Sequence, residues 1–179
     1  RGGDDWQKDA LVLPVWRGKV CLNGDRLVRL APGHPALADA AHAAGVPVVV
    51  DATLATPALY RPLEHGADVV VHSATKFLGG QGTTLGGVVV ESGRFPWDNG
   101  KFPSMTEPVP SYGGVSWWGN FGEYGFLTKL RSEQLRDIGA ALTPLAAFQL
   151  LQGVETLPQR IDAHVANAKA VSEWLESDP

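Results

Sequence analysis

Four polar side chains near the middle of the chain have the types and the spacing needed for one kind of chemistry. Lys76 is an amine that can form a Schiff base with an aldehyde. The hydroxyls of Ser73 and Thr75 can donate hydrogen bonds to a phosphate. Asp51 can hold a proton on a ring nitrogen through a charge-assisted hydrogen bond. An aldehyde, a phosphate and a ring nitrogen together describe pyridoxal 5'-phosphate, whose usual protein partners are a lysine imine and an acidic residue.

Each of these residues also has a purely structural interpretation when it is taken alone. An Asp at a strand end often caps a turn, Ser and Thr often cap local backbone, and a single Lys is usually a solvated charge. Ser73 and Lys76 also fit the Ser-x-x-Lys pattern of acyl-transfer enzymes, but the companion motifs Ser-Asp-Asn and Lys-Thr-Gly are absent. No Gly-x-x-x-x-Gly-Lys phosphate loop occurs, and the histidines lack metal-site spacing. The combination favours the cofactor, and no metal site is predicted.

Three valine-rich runs must position these side chains. Val46–Val50, Val69–Val71 and Val88–Val90 lack polar alternation, which favours strands that are buried on both faces of a mostly parallel sheet. Ligands of open α/β sheets bind beyond the carboxyl ends of the strands. Asp51 and Ser73 follow two of these ends, so the sequence predicts an α/β fold with a site at that edge.

Helical patterns surround the valine-rich runs, as expected for α/β units. The predicted helices are Pro35–Ala44, Thr56–His65 and Thr156–Glu176, with an apolar stripe at Leu142, Leu145, Ala146, Leu150 and Leu151 before the last of them. Between the two halves, residues 93–120 read as a long loop, and loops of that length are usually functional or interfacial. One further strand is predicted around Leu11–Val15.

Composition excludes several classes of protein. The chain has 179 residues, of which 44% are hydrophobic and 19% charged, which is a globular balance. A net charge of −4 argues against nucleic-acid and membrane-surface partners, and no apolar run reaches the roughly 20 residues of a membrane span. The single cysteine, Cys21, cannot form an internal disulfide, so we expect a cytoplasmic protein. A start at Arg1 instead of Met suggests a processed product, an engineered chain or a fragment.

The motifs around these residues resemble the Cys/Met-metabolism family of pyridoxal-phosphate enzymes. The resemblance rests on Asp51-Ala-Thr53 and on His72-Ser73-Ala-Thr75-Lys76 with its glycine-rich loop, and it extends over roughly residues 36–179. Three later segments are closest to the O-acetylhomoserine sulfhydrylase branch of the family; they are 101–113, 126–131 and 150–157.

The resemblance implies a fold and a role for each residue of the site. The fold is a partial large domain of the type I aminotransferase-like class, α/β with a mostly parallel sheet flanked by helices. By resemblance, Lys76 holds the cofactor and is the catalytic residue, Asp51 pairs with the pyridine nitrogen, and the hydroxyls of Ser73 and Thr75 bind the phosphate. Thr53 belongs to the same strand-end motif and is taken as a further cofactor-binding residue.

The resemblance also implies a reaction. Replacement at the γ-carbon would convert O-acetyl-L-homoserine and sulfide to L-homocysteine and acetate, in methionine and cysteine biosynthesis. The partners would be a small amino-acid substrate, sulfide and, at full length, further copies of the chain in a homotetramer. The alternatives are a related cystathionine γ-synthase or γ-lyase, and an inactive remnant that keeps only the fold.

The sequence also departs from the family pattern. Ala52 stands where the family usually has Asn, and Gln81 where it usually has His. Residues 6–34 contain nothing like the expected strand ending in Asn-Pro, which suggests a frameshifted segment. If that hypothesis is right, the chain lacks one sheet strand and one cofactor contact. We therefore divide the chain into a poorly matching stretch at 1–35, a cofactor-binding core at 36–155, and at 156–179 the start of a long helix leading to an absent C-terminal domain.

Overall fold

The computed structural model describes the backbone of residues 11–14, 19–22, 26–29 and 35–177, with side chains from residue 37 to 177. The chain divides into two compact units. The first comprises Arg1–Asp51, Pro62–Val71 and Val89–Ala141, and the second comprises Ala52–Arg61, His72–Val88 and Leu142–Pro179.

Six strands and seven α-helices are described. The strands are β1 (Leu11–Pro14), β2 (Lys19–Leu22), β3 (Arg26–Arg29), β4 (Val48–Asp51), β5 (Val69–Ser73) and β6 (Gly87–Glu91). The α-helices are α1 (Pro35–Ala43), α2 (Thr56–Leu59), α3 (Pro103–Thr106), α4 (Trp117–Phe121), α5 (Gly125–Lys129), α6 (Pro144–Glu155) and α7 (Leu157–Ser177). Short 3-10 turns cover Pro62–His65, Pro110–Tyr112 and Gly122–Tyr124, and a π-helix covers Leu130–Asp137. In the described part of the chain, no helix is both long enough and apolar enough to cross a membrane.

The main sheet has the strand order β1-β4-β5-β6. β1 and β5 both pair with β4 in parallel. The amide of Thr75 bonds to the Gly86 carbonyl and the amide of Ser92 to the Asp68 carbonyl, so β6 runs antiparallel to β5. A separate antiparallel hairpin joins β2 to β3. The mostly parallel α/β sheet is as predicted.

The strand predictions were partly correct. Val48 and Val50 of β4 and Val69 and Val70 of β5 are buried. The valines 88–90 of β6 remain 37–40% exposed, so the prediction of burial on both faces is wrong for that run. β6 is the last strand in the sheet order, so no neighbouring strand shields its outer side.

The described part of the region before residue 35 includes the strand that the sequence predicted there. The strand predicted at Leu11–Val15 is β1, although Val15 lies outside the described residues. β1 pairs in parallel with β4, so this region contributes a strand to the main sheet. The frameshift hypothesis and the domain division stay predictions.

Local sequence determines where helix α1 begins and ends and how the chain turns from it toward β4. It begins at Pro35, where a fixed φ suits a first helical turn. It ends at Ala43 and is followed by Gly45, whose φ of +64° permits bonds from Gly45 N to His42 O and from Val46 N to Ala41 O. This is the Schellman pattern of helix ends. The glycine therefore turns the chain directly into the β4 strand, as predicted.

The predicted loop at 93–120 contributes most of a hydrophobic core in the first unit. It contains α3, a 3-10 turn and α4, and it buries Phe95, Trp97, Phe102, Met105 and Trp117 against Val69 of β5. Neighbouring rings meet edge to face, with Phe95 and Trp97 centroids 4.9 Å apart. The segment predicted to be a long loop therefore consists largely of short helices and turns that bury an aromatic core.

Two helical predictions need correction. The helix predicted at Thr56–His65 is α2 followed by a separate 3-10 turn, because Pro62 cannot continue the first helix. Of the apolar stripe near α6, Leu150 is buried, whereas Leu142, Leu145 and Leu151 are exposed. Leu142 precedes α6 and so does not belong to the helix. The long final helix is α7, as predicted.

Candidate active site

The end of β5 is tied to the segment that follows β4. Ser73 is the last residue of β5, and its amide donates a hydrogen bond of 2.8 Å to Thr53 Oγ1. Both residues belong to the second unit and are half-buried. The Thr53 hydroxyl therefore accepts a hydrogen bond from the backbone and fixes the position of Ser73.

Thr75 is bonded to the residue that precedes β6. Its Oγ1 accepts a hydrogen bond of 3.0 Å from Gly86 N and donates one of 3.3 Å to Gly86 O. Its amide also points to Gly86 O at 3.3 Å. The Thr75 hydroxyl thus closes the base of the glycine-rich loop, a role that the sequence did not predict.

Lys76 lies in a turn just beyond β5, and its side chain is exposed. Its amide bonds to Ser73 O at 3.1 Å, and its carbonyl accepts a bond of 2.7 Å from Gly80 N. Within the described part of the chain, Lys76 Nζ makes no hydrogen bond or ion pair. The backbone at Lys76 is therefore held on both sides while the amine remains available.

Two glycines let the chain turn sharply after Lys76. Gly79 N bonds to Ala74 O at 2.8 Å, and a Cβ at Gly79 would lie 2.9 Å from that same carbonyl oxygen. Gly80 has a φ of +76°, which residues with a side chain rarely adopt. The glycine-rich sequence is thus required by close backbone packing at this turn.

Arg160 of α7 is a residue of this region that the sequence did not single out. Its guanidinium donates hydrogen bonds to the carbonyls of Phe77 and Leu78, directly after Lys76. Arg160 is 83 positions from Phe77 in sequence, so no local pattern links them. Only the packing of α7 in the second unit reveals the contact.

Asp51 belongs to the first unit. It is the last residue of β4, is paired in register with Val71 of β5, and has an exposed side chain. Its position at the end of β4 agrees with the prediction that Asp51 lies at the end of the first valine-rich strand.

Comparisons with known proteins identify the family. The family described as Cys/Met metabolism PLP-dependent enzyme matches residues 33–179. Sulfhydrylase FUB7 of Gibberella moniliformis is 51% identical over 153 residues, which are 84% of this chain and 35% of the relative. O-acetyl-L-homoserine sulfhydrylase of Leptospira meyeri is 49% identical over 152 residues, 80% of this chain and 34% of the relative.

A solved structure agrees with these relatives. The crystal structure of a putative O-acetylhomoserine (thiol)-lyase from Campylobacter jejuni, with N'-pyridoxyl-lysine-5'-monophosphate, aligns with a TM-score of 0.82 and 32% identity. The alignment covers 99% of this chain and 42% of that one. The chain thus spans about a third of the curated relatives it matches. It has the type I fold of these enzymes, and it belongs to the Cys/Met-metabolism family of pyridoxal-phosphate-dependent enzymes.

Proposed function

We propose that this chain is part of an O-acetylhomoserine sulfhydrylase, which converts O-acetyl-L-homoserine and sulfide to L-homocysteine and acetate. The name of a relative that is 49% identical, the O-acetyl-L-homoserine sulfhydrylase of Leptospira meyeri, supports this substrate. The observation that carries the proposal is the place of Lys76. It is an exposed amine just beyond β5, with hydroxyl groups one and three positions before it, in a chain matched by a pyridoxal-phosphate family.

The chemistry of the donor set fits the cofactor. Among the described residues, the Lys76 amine and the Ser73 hydroxyl have no hydrogen-bond partner. The amine suits the cofactor aldehyde, and the hydroxyl suits its phosphate. The Thr75 hydroxyl already donates a long bond of 3.3 Å to Gly86 O. To bind the phosphate, Thr75 would have to exchange that bond for a shorter, charge-assisted one, which is favourable.

The proposed roles follow from these groups and from the family. Lys76 holds the cofactor covalently, and Ser73 and Thr75 bind its phosphate. Asp51 keeps the ring nitrogen protonated through a charge-assisted hydrogen bond. Thr53 contributes by fixing the Ser73 amide at 2.8 Å.

The reaction requires proton transfers that Lys76 is suited to make. When bound, the cofactor withdraws electrons from the substrate Cα. Once the substrate amine had displaced Lys76 from the cofactor, the freed Lys76 amine would move one proton at a time, taking the Cα proton, giving it up to the cofactor, and then taking the Cβ proton. The bond between Cγ and the acetate oxygen breaks, acetate leaves, and the sulfide sulfur forms a new bond to Cγ. Return of the protons by Lys76 to Cβ and Cα completes L-homocysteine.

Borohydride reduction tests the cofactor role. After incubation with pyridoxal 5'-phosphate and reduction, mass spectrometry should find the pyridoxyl adduct on the peptide that carries Lys76. Lys76→Ala should lose this adduct. Lys169→Ala is the matched control, because Lys169 is exposed on α7 and pairs only loosely with Glu173 at 3.7 Å. A wild-type chain without a Lys76 adduct would contradict the proposal.

A product assay tests the reaction. Homocysteine should form from O-acetylhomoserine and sulfide, and it should not form with Lys76→Ala. A cystathionine γ-lyase is among the similar solved structures, with a TM-score of 0.57 and 30% identity. Faster cleavage of cystathionine than formation of homocysteine would favour that alternative, and cofactor binding without turnover would favour the inactive remnant.

We also propose that the protein works in the cytoplasm as a homo-oligomer. The low cysteine content supports the location, and the family resemblance supports the assembly. Cell fractionation and light scattering test these two points separately.

A further inference from the structure

Arg160 donates hydrogen bonds to several backbone carbonyls in and beside the turn that follows Lys76. Nη1 donates to Phe77 O at 2.9 Å, and Nη2 donates to Leu78 O at 3.2 Å and to Gly153 O at 2.5 Å. Nε donates to Thr156 Oγ1 at 3.2 Å, which orients the guanidinium plane. One side chain of α7 thus joins the lysine turn to the end of α6.

These carbonyls need a donor from elsewhere. In the turn, the amides of Gly79 and Gly80 bond to the carbonyls of Ala74 and Lys76. Within the described part of the chain, no backbone amide bonds to the carbonyls of Phe77 and Leu78. A buried carbonyl without a donor is costly, and a guanidinium supplies charge-assisted hydrogen bonds to two at once.

The surrounding backbone leaves little freedom for this arrangement to shift. A Cβ at Gly153 would lie 2.1 Å from Gly79 O, and a Cβ at Gly80 would lie 2.2 Å from Arg160 Nη1. Leu78 is buried with Leu150, Leu157 and Ile161 of the two helices. The turn is therefore pressed against α6 and held by Arg160 of α7.

We propose that Arg160 is a positioning residue that fixes the backbone at Lys76 and thereby sets the orientation of its amine toward the cofactor. The inference rests on the proposed function. It follows from the fact that the first two carbonyls after Lys76 are both bonded to this one guanidinium. Lysine cannot replace arginine here, because a single ammonium has no planar fork to span these acceptors.

The test compares Arg160→Lys with the wild-type chain and with Arg94→Lys. Arg94 is exposed, and its side chain makes no hydrogen bond or ion pair within the described residues, so it controls for the chemical change itself. Three quantities are measured. They are hydrogen exchange of the peptide 74–80, the dissociation constant of pyridoxal 5'-phosphate, and the pH midpoint at which the absorbance of the cofactor–lysine imine changes.

Arg160→Lys should accelerate exchange in the peptide 74–80 and weaken cofactor binding about tenfold, as expected for the loss of charge-assisted bonds. Its absorbance midpoint should shift relative to wild type, because that midpoint reports the surroundings of the Lys76 amine. A residue that only stabilised the fold would lower the melting temperature without moving this midpoint. Arg94→Lys should leave all three quantities unchanged.

The outcomes are separable. A wild-type chain without a Lys76 adduct overturns the proposed function. An adduct in the wild type, together with a binding constant and midpoint that Arg160→Lys leaves unchanged, overturns the role of Arg160 alone. If Arg160→Lys does not fold, Thr156→Val decides, because it removes the acceptor that orients Nε and, apart from that, only a long bond of 3.5 Å from the same hydroxyl to Gly153 O. We expect Thr156→Val to shift the absorbance midpoint by less than loss of the guanidinium would. Such a shift supports the positioning role of Arg160, and an unchanged midpoint overturns it.

Discussion

The backbone amide of Ser73 donates a hydrogen bond of 2.8 Å to the hydroxyl oxygen of Thr53. The bond connects the last residue of β5 to the segment that follows β4. It uses Thr53 as an acceptor and leaves the Ser73 hydroxyl without a partner among the described residues. Thr53 therefore supports the proposed phosphate donor through the backbone.

Replacing Thr53 by Val should remove the acceptor while nearly preserving the shape of the side chain. The half-buried Ser73 amide would lose its partner, which should lower the free energy of unfolding by about 1–2 kcal/mol. Cofactor binding should weaken as well, because Ser73 would be less well fixed. Urea unfolding and titration with pyridoxal 5'-phosphate measure the two effects.

Thr53→Ser is the matched control, since it keeps the hydroxyl. It should retain most of the stability and of the cofactor affinity. Equal affinities for Thr53→Val and wild type would show that the hydrogen bond does not contribute to the phosphate site.

The sequence allowed the main strands and the proposed site residues to be predicted, because pure valine runs and polar strand ends are local signals. β4 and β5 both end where polar residues follow the valines. Features that depend on distant packing had no such signal. Arg160 reaches a turn 83 positions away from it. Thr56 has a φ of +56°, which a β-branched residue rarely adopts and which its complete burial maintains.

Gly153→Ala should disrupt the packing of α6 against the lysine turn. The new Cβ would lie 2.1 Å from Gly79 O, and a backbone atom cannot move aside cheaply. We expect a loss of about 3 kcal/mol in stability and faster hydrogen exchange in the turn. Thermal unfolding and exchange of the peptide 74–80 measure these changes.

Gly87→Ala is the control for the glycine substitution itself. A Cβ at Gly87 would meet only His72 O at 3.7 Å, an ordinary contact. This variant should stay within about 1 kcal/mol of wild type. Similar losses in the two variants would contradict the packing argument.

Asp68 should be important for the first unit because one of its oxygens serves two donors. Oδ2 accepts bonds of 2.7 Å from Val48 N and from His42 Nε2, and the residue is buried. Asp68→Ala would leave the buried Val48 amide without an acceptor, so it should cost about 2–4 kcal/mol. Asp68→Asn keeps an oxygen for Val48 and should cost less. Equal unfolding free energies for Asp68→Ala and wild type would contradict this account.

Glu91 should make the stability of the protein depend on pH. Burial raises the pKa of its carboxyl, and the nearby Asp68 raises it further, although a hydrogen bond of 3.0 Å from Trp97 Nε1 and one from the Leu127 backbone partly oppose this. The folded state therefore binds the proton more tightly than the unfolded state. The contribution of Glu91 to stability is fully present below its ordinary pKa of 4.5 and decreases as the pH rises through the raised, folded value.

Glu91→Gln should remove this dependence, because the amide is neutral and its oxygen can still accept from Trp97. Relative to wild type, the variant should be more stable near neutral pH, and its advantage should shrink as the pH falls below the ordinary pKa of glutamate. Unfolding free energies measured across the acidic range and at neutral pH give the comparison. An advantage that instead grew toward acid would mean that the folded state lowers the pKa of Glu91, and that the bond from Trp97 outweighs burial.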